Sequence, residues 1–259
     1  MMKQLLIFGL GYSARVIAAR AAKAGWQVRA TGREGDLDFA DDAAVRAAMG
    51  KASHILSSVP PADDSDPVLG AYGDALAGQW LGYLSSTGVY GDAGGAWVDE
   101  STPTGSGRRT ARSDADAQWL EMGAYVFRLP GIYGPGRGVF ERIAEGRARR
   151  IAMPGQVFSR VHVADIASGV MAALESDAPA GAYNLGDDLP CSQNLLIEHG
   201  CALMGQVPPP LVSLEEAGLS PMALGFYAEN RRVANGKARR LLGWKPAYPT
   251  YREGLAALR

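Results

Sequence analysis

Short apolar runs alternate with stretches of helical periodicity along most of the chain, the pattern of a parallel sheet wound with helices. Residues 4–8 read as a first strand, 13–24 as a helix and 27–31 as a second strand. "DLDF", residues 36–39, reads as a clipped third strand before a helix at 41–49. "SHILSSV" is a buried strand stopped by Pro60 and Pro61. A helix within 66–77, a strand at 80–85, a helix at about 112–122 and a strand at 125–128 follow.

From Gly134 the texture changes. Residues 134–155 carry Gly, Pro and five Arg, with a helix at about 140–145. "RVHVADIASGVMAALE" reads as a strand end and an amphipathic helix, and "AYNLG" as a last strand. Beyond Gly186 the chain is helix and loop, with "VPPP" at 207–210 as a stiff connector. The expected fold is α/β, a Rossmann-type doubly wound parallel sheet with a small C-terminal lobe. Residues 1–185 form the nucleotide-binding part, with 134–158 contributing to the substrate cleft, and 186–259 form the lobe facing the substrate.

Composition narrows the classes. The 259 residues are 47% hydrophobic, enough for a full core. With 26 basic and 27 acidic residues the net charge is −1, which marks neither a nucleic-acid nor an anionic-membrane partner. Gly9 and Gly11 interrupt the first apolar run before a signal-peptide core is reached, and no run approaches the roughly 20 residues of a membrane span. Cys191 and Cys201 are expected in one helix, without His or Cys partners at metal spacing, so no metal site and a reducing cytoplasm are expected.

The chemistry starts at "GLGYSA", between the first strand and its helix. Gly9 permits the tight turn and Gly11 lets a pyrophosphate approach. Tyr12 and Ser13 begin the helix, and Ala14 replaces the third glycine, keeping helix and strand close. The helix N-terminus then faces the phosphates. After the second strand stands "ATGRE", where an NAD site has a ribose-binding acid. Thr31 and Arg33 occupy the place of a 2′-phosphate, which a guanidinium pairs with bidentately. NADP is therefore the expected cofactor, with Glu34 on an NAD ribose as the alternative.

The glycine turn, "YLSSTGVYGD", "RLPGIYGPG", "RVHVADI", "YNLGDD" and "LLGWKP" with "REGL" fall in order over nearly the whole chain. Together they resemble the extended short-chain dehydrogenase/reductase superfamily, the NAD(P)-dependent epimerase/dehydratase group. The closer likeness is to its smaller atypical members, whose "SVPP", here ending in Pro60 and Pro61, follows the fourth strand and lines the cofactor site.

The resemblance implies a catalytic hydroxyl at Ser86, flanked by Ser85 and Thr87. It also implies a Tyr that moves a proton and, four residues later, a Lys on the nicotinamide ribose. One register puts Arg108 and Arg112 at those positions, with Asp116 as the acid that follows, and a gapless count puts Ala111 and Ala115 there. Neither holds a tyrosine. A guanidinium stays protonated and cannot replace a phenol, although Arg112 can still bond ribose hydroxyls. Tyr90 and Tyr133 are expected to pack.

Gly131 stands where sugar-nucleotide members carry Asn. Arg137 and Arg160, with Arg231 and Arg232, are candidates for an anionic substrate pocket, and His162 and Asp165 are expected to be structural. Two readings stay open: an NADP-dependent oxidoreductase or epimerase/dehydratase-like enzyme of unknown substrate, and an NADP-binding sensor or scaffold without turnover. The resemblance also implies a homodimer through the helices at 66–77 and 112–122.

Overall fold

The computed structural model describes residues 3–107 and 110–259, apart from the side chain of Met222. Twelve strands are described: β1 Gln4–Phe8, β2 Gln27–Ala30, β3 His54–Ser57, β4 Trp80–Ser86, β5 Trp97–Val98, β6 Tyr125–Leu129, β7 Gly131–Tyr133, β8 Arg150–Ile151, β9 Arg160–His162, β10 Gly181–Asn184, β11 Leu211–Val212 and β12 Arg232–Val233. The helices are α1 Tyr12–Lys23, α2 Asp42–Met49, α3 Pro67–Tyr72, α4 Thr110–Glu121, α5 Val139–Ala144, α6 Val163–Leu174, α7 Gln193–Met204, α8 Pro221–Tyr227, α9 Gly236–Leu241 and α10 Tyr251–Ala256.

Six strands form one parallel sheet in the order β10-β6-β4-β3-β1-β2. The apolar runs of β1, β3 and β6 are buried on both faces, which is why their sequences do not alternate. On one face Ile17 and Ala21 of α1 pack with Ile166 and Val170 of α6. On the other, Val45 and Met49 of α2, Val68 of α3 and Trp119 of α4 pack together. The chain leaves β1 towards β2 on one side and returns to β3 on the other, so a crevice opens at the carboxyl ends of β1 and β3.

The expected third strand does not form. Leu37 makes only an isolated bridge to Thr31. The Asp36 carboxylate accepts the Ala30 N–H at 2.8 Å and pairs with Arg29, so side-chain bonds replace a ladder. Asp38 then accepts from Ala40 N and turns the chain into α2. The paired strand β2 is thus the last in the sheet.

A separate core holds the lobe, where Val139 and Ile143 of α5 pack with Leu196, Ile197 and Cys201 of α7 and Tyr251 and Leu255 of α10. Its chain is interleaved with the sheet, because α6 and β10 return to the sheet between the lobe segments. Cys191 departs from expectation: it precedes α7, in a bridge to Phe158, while Cys201 lies in the helix, and both are buried thiols. Among the described residues no helix is long and apolar enough to cross a membrane, and no cluster of metal-ligating side chains forms.

Candidate functional site

The glycine turn sits at the crevice. Gly9 has φ +83°, and a Cβ there would lie 2.9 Å from the Val59 side chain, so both conformation and packing demand glycine. Gly11 is different. Its backbone is extended (φ −84°), and a Cβ there would meet nothing within 4 Å. No protein atom requires that glycine; it keeps open the space ahead of the α1 N-terminus. Buried Ala14 seats α1 on the sheet beside half-covered Tyr12 and buried Ser13. Such a cradle fits a pyrophosphate.

Thr31 is corrected. Expected at a 2′-phosphate, it is 1% exposed, and its hydroxyl accepts the Gly9 N–H at 3.0 Å while its carbonyl accepts from Leu10 N. It braces the phosphate turn from beneath. Arg33 is exposed and makes no ion pair among the described residues, whereas Glu34 is engaged by Arg15 of α1 at 2.5 Å. The free cation therefore stands at the end of β2 and the acid is occupied. Pro60 lies exposed after β3, on the opposite side of the crevice from Arg33.

At the end of β4, the Ser86 hydroxyl accepts from Gly88 N at 3.1 Å, which caps the 3-10 turn Thr87–Tyr90 and leaves its own O–H free to donate. Thr87 is buried beneath it. The segment Gly105–Gly107 lies on this turn, with Gly105 N donating to Val89 O and Ser106 Oγ to Tyr90 O. Arg108 lies outside the described residues.

Sequence reasoning missed the network that fixes α4. Ser85 Oγ donates to Asp116 Oδ2 at 2.6 Å, and Arg128 grips both oxygens of Asp116 at 3.1 and 2.7 Å. Arg128 Nη1 donates to Tyr90 Oη, which donates to Asn184 Oδ1 at 2.8 Å. A lone arginine in the apolar strand "YVFRL" was the available signal, since a buried cation requires a partner. One turn before Asp116, Arg112 is half-buried beside Tyr83, whose hydroxyl burial pushes up to about 12. Tyr83 stacks on Trp119, and among the described residues no hydrogen bond links Arg112 to Ser86 or Thr87. The buried Ala115 packs in the same core as Tyr83 and Trp119.

Tyr90 is thus committed inside. Tyr133 is also buried: its ring meets His162 edge-on at 5.2 Å, its hydroxyl abuts Gly254, and burial raises its pKa. Neither phenol is hydrogen-bonded to Ser86 or Thr87. Arg137 is exposed and lies over the ring of Tyr12, 5.4 Å from its centre, while Tyr12 donates to Pro135 O. It stands beside the phosphate turn. Arg160 is buried, its Nη1 donating to Phe158 O at 2.9 Å and to Cys191 O at 3.1 Å, so it holds the lobe together instead of opening to a ligand. His162 caps α6 through Nδ1, and both Asp165 oxygens accept backbone N–H groups of Ala247 and Tyr248.

No protein-family model matches the chain. A functionally unknown conserved protein from Silicibacter pomeroyi DSS is 41% identical, with a TM-score of 0.88, over 99% of this chain and 98% of that one, so the two belong to one family. Human epimerase family protein SDR39U1 (isoform 2), solved with NADPH, gives a TM-score of 0.78 at 15% identity over 98% of each chain. The dTDP-glucose 4,6-dehydratase of Bacillus anthracis, in complex with NAD, gives 0.76 at 17% identity over 98% of this chain and 94% of that one. The chain has the extended short-chain dehydrogenase/reductase fold.

Those two solved structures are an epimerase family protein and a dehydratase, with NADPH and NAD bound respectively. Among curated proteins, 3-diazoavenalumate denitrifying reductase of a Streptomyces species is 31% identical over 161 residues, 56% of this chain and 52% of that protein. The match thus spans about half the length of that relative. Protein YeeZ of Escherichia coli K12 is 27% identical across 96% of this chain and 97% of its own.

Proposed function

We propose that the chain is an NADP-dependent oxidoreductase or epimerase/dehydratase-like enzyme acting on a small molecule. The observation that carries this is Gly11, a glycine that no contact within the protein requires, in front of a helix N-terminus at the crevice of the sheet. NADP supplies hydride exchange when bound. In this reading Gly9, Gly11, Tyr12, Ser13 and Ala14 hold the pyrophosphate turn, Arg33 takes the 2′-phosphate, Pro60 borders the crevice, and the O–H of Ser86, with Thr87 behind it, donates to the substrate oxygen. A reductase among the relatives and neighbours solved with NAD or NADPH support it.

The interior positions of Tyr90 and Tyr133 favour a second reading, a dinucleotide-binding sensor without turnover. Calorimetric titration with NADPH and NADH, followed by NADPH oxidation over a panel of carbonyl substrates, separates the two. Micromolar NADPH binding with oxidation of a panel member is expected. Binding without any turnover selects the sensor, and no binding of either dinucleotide removes both.

A further inference from the structure

Tyr12 joins the glycine turn to the lobe side of the crevice. It is the first residue of α1, directly after Gly11, and its hydroxyl donates to Pro135 O at 3.1 Å. The phenol fits because residue 134 is glycine: a Cβ there would stand 2.6 Å from Tyr12 Oη and equally close to the Val163 side chain. Gly134 and Arg137 exchange backbone hydrogen bonds of 2.9 and 3.0 Å across Pro135 and Gly136, a tight turn in which Gly136 has φ +69°. The turn is thus seated on Tyr12, and it holds the backbone of Arg137 just before α5.

The side chain of Arg137 lies over the same ring, its guanidinium carbon 5.4 Å from the ring centre. A guanidinium held by its face keeps its N–H edge free to donate. Among the described residues that side chain makes no hydrogen bond or ion pair. Glu141, four residues on in α5, keeps its carboxylate near Gly138 without pairing with Arg137. Arg15, another cation near the start of α1, is held by Glu34, and Arg33 stands away from the lobe, at the end of β2. A pyrophosphate in front of Gly11 would bring about two negative charges, whereas a helix N-terminus offers only about half a positive one. Arg137 is the cation left on the lobe side of that space.

We propose that Arg137, carried by the turn at 135–136 and laid on Tyr12, is a ligand of the dinucleotide's pyrophosphate and closes the cofactor site from the lobe. A planar fork that only donates matches a group that only accepts. The proposal rests on the dinucleotide reading above and adds to it the contact that the lobe makes with the cofactor.

The test is calorimetric titration of the whole protein with NADPH, NADH and ADP-ribose, which carries the pyrophosphate without the nicotinamide. Arg137→Gln is expected to weaken all three by a similar factor, about tenfold or more. It should keep the wild-type thermal midpoint, because the side chain is exposed. Arg137→Lys should restore part of the affinity, and a change at the exposed Arg149, Arg149→Gln, should have no effect. Full affinity for NADPH and NADH in folded Arg137→Gln would overturn the contact. A loss confined to NADPH would move Arg137 to the 2′-phosphate, and a loss that spares ADP-ribose would move it to the nicotinamide end; either result overturns the proposal. If Arg137→Gln fails to fold, Arg137→Lys decides, a smaller loss of the same pattern supporting the contact and unchanged affinities overturning it. A wild type that binds no dinucleotide removes the reading above together with this contact, whereas full affinity in Arg137→Gln removes the contact alone.

Discussion

A valine at Gly11 would take up the extended backbone there without strain, and its Cβ would meet no protein atom within 4 Å. Its methyl groups would enter the space that the proposed function gives to the pyrophosphate. Gly11→Val is expected to keep its thermal midpoint and lose about 1–3 kcal/mol of NADPH affinity, as overfilling a packed contact does. Calorimetry beside a thermal melt checks both halves, and unchanged affinity would remove the phosphate assignment. Arg33 belongs to the same scale. With Glu34 tied to Arg15, the exposed guanidinium of Arg33 is left without an ion pair among the described residues. NADPH should bind more tightly than NADH, and Arg33→Ala should erase about 1.5–3 kcal/mol of that gap. Equal affinities in the wild type would make Arg33 a solvated cation only. The glycine turn at Gly9 and Gly11 was legible because a short motif carries it, but the place of Thr31 was not. Only the fold reveals that its hydroxyl turns under the glycine loop, 22 residues back in the chain.

Between elements, the Asp116–Arg128 pair decides how α4 lies on β4 and β6. Its side chains are 1% and 4% exposed, and Ser85 and Tyr90 supply further bonds. Removing one partner strands the other charge in the core, so Asp116→Ala should lose about 3–5 kcal/mol in urea unfolding. The double change Asp116→Leu with Arg128→Met should lose clearly less than the sum of the singles. Additive losses would show that the two charges do not act as a pair. Strands β1, β3, β4 and β6 were readable because doubly buried strands are continuous apolar runs. The pairings β5 with β12, β8 with β11 and β7 with β9 were not, because two or three residues carry no period. "DLDF" failed as a strand for a related reason: its acids were taken by Ala30, Arg29 and Ala40 before any ladder could extend.

In the whole molecule, sheet and lobe meet around a buried acid. Asp187 is 2% exposed, its Oδ2 has no partner, and burial pushes its pKa up to about 7, with Arg160 opposing and Asp188 and Asp165 adding to the rise. The folded chain therefore keeps this proton where the unfolded chain, at about 3.9, has released it. Between about pH 4 and 7 this group makes stability fall as pH rises, by at most about 4 kcal/mol. Asp187→Asn should flatten that part of the pH profile of urea unfolding; an unchanged slope would assign it to other groups. The sequence showed this lobe only as a change of texture, because its core joins residues from Tyr133 to Leu255 that no local pattern connects. Arg160, read as a pocket cation, is instead a strut between lobe segments 31 residues apart.

Without its third strand, the sheet ends on β2, four residues long and exposed at Gln27 and Arg29. A bare sheet margin invites another chain to add itself there, the first step of aggregation. Shortness, the charge of Arg29 and the strap of Asp36 across Ala30 all discourage such an addition. The residues that replaced a strand thus act as gatekeepers of solubility: Arg29→Val, which leaves the crevice untouched, should fold normally yet precipitate on prolonged storage at concentrations where the wild type stays clear.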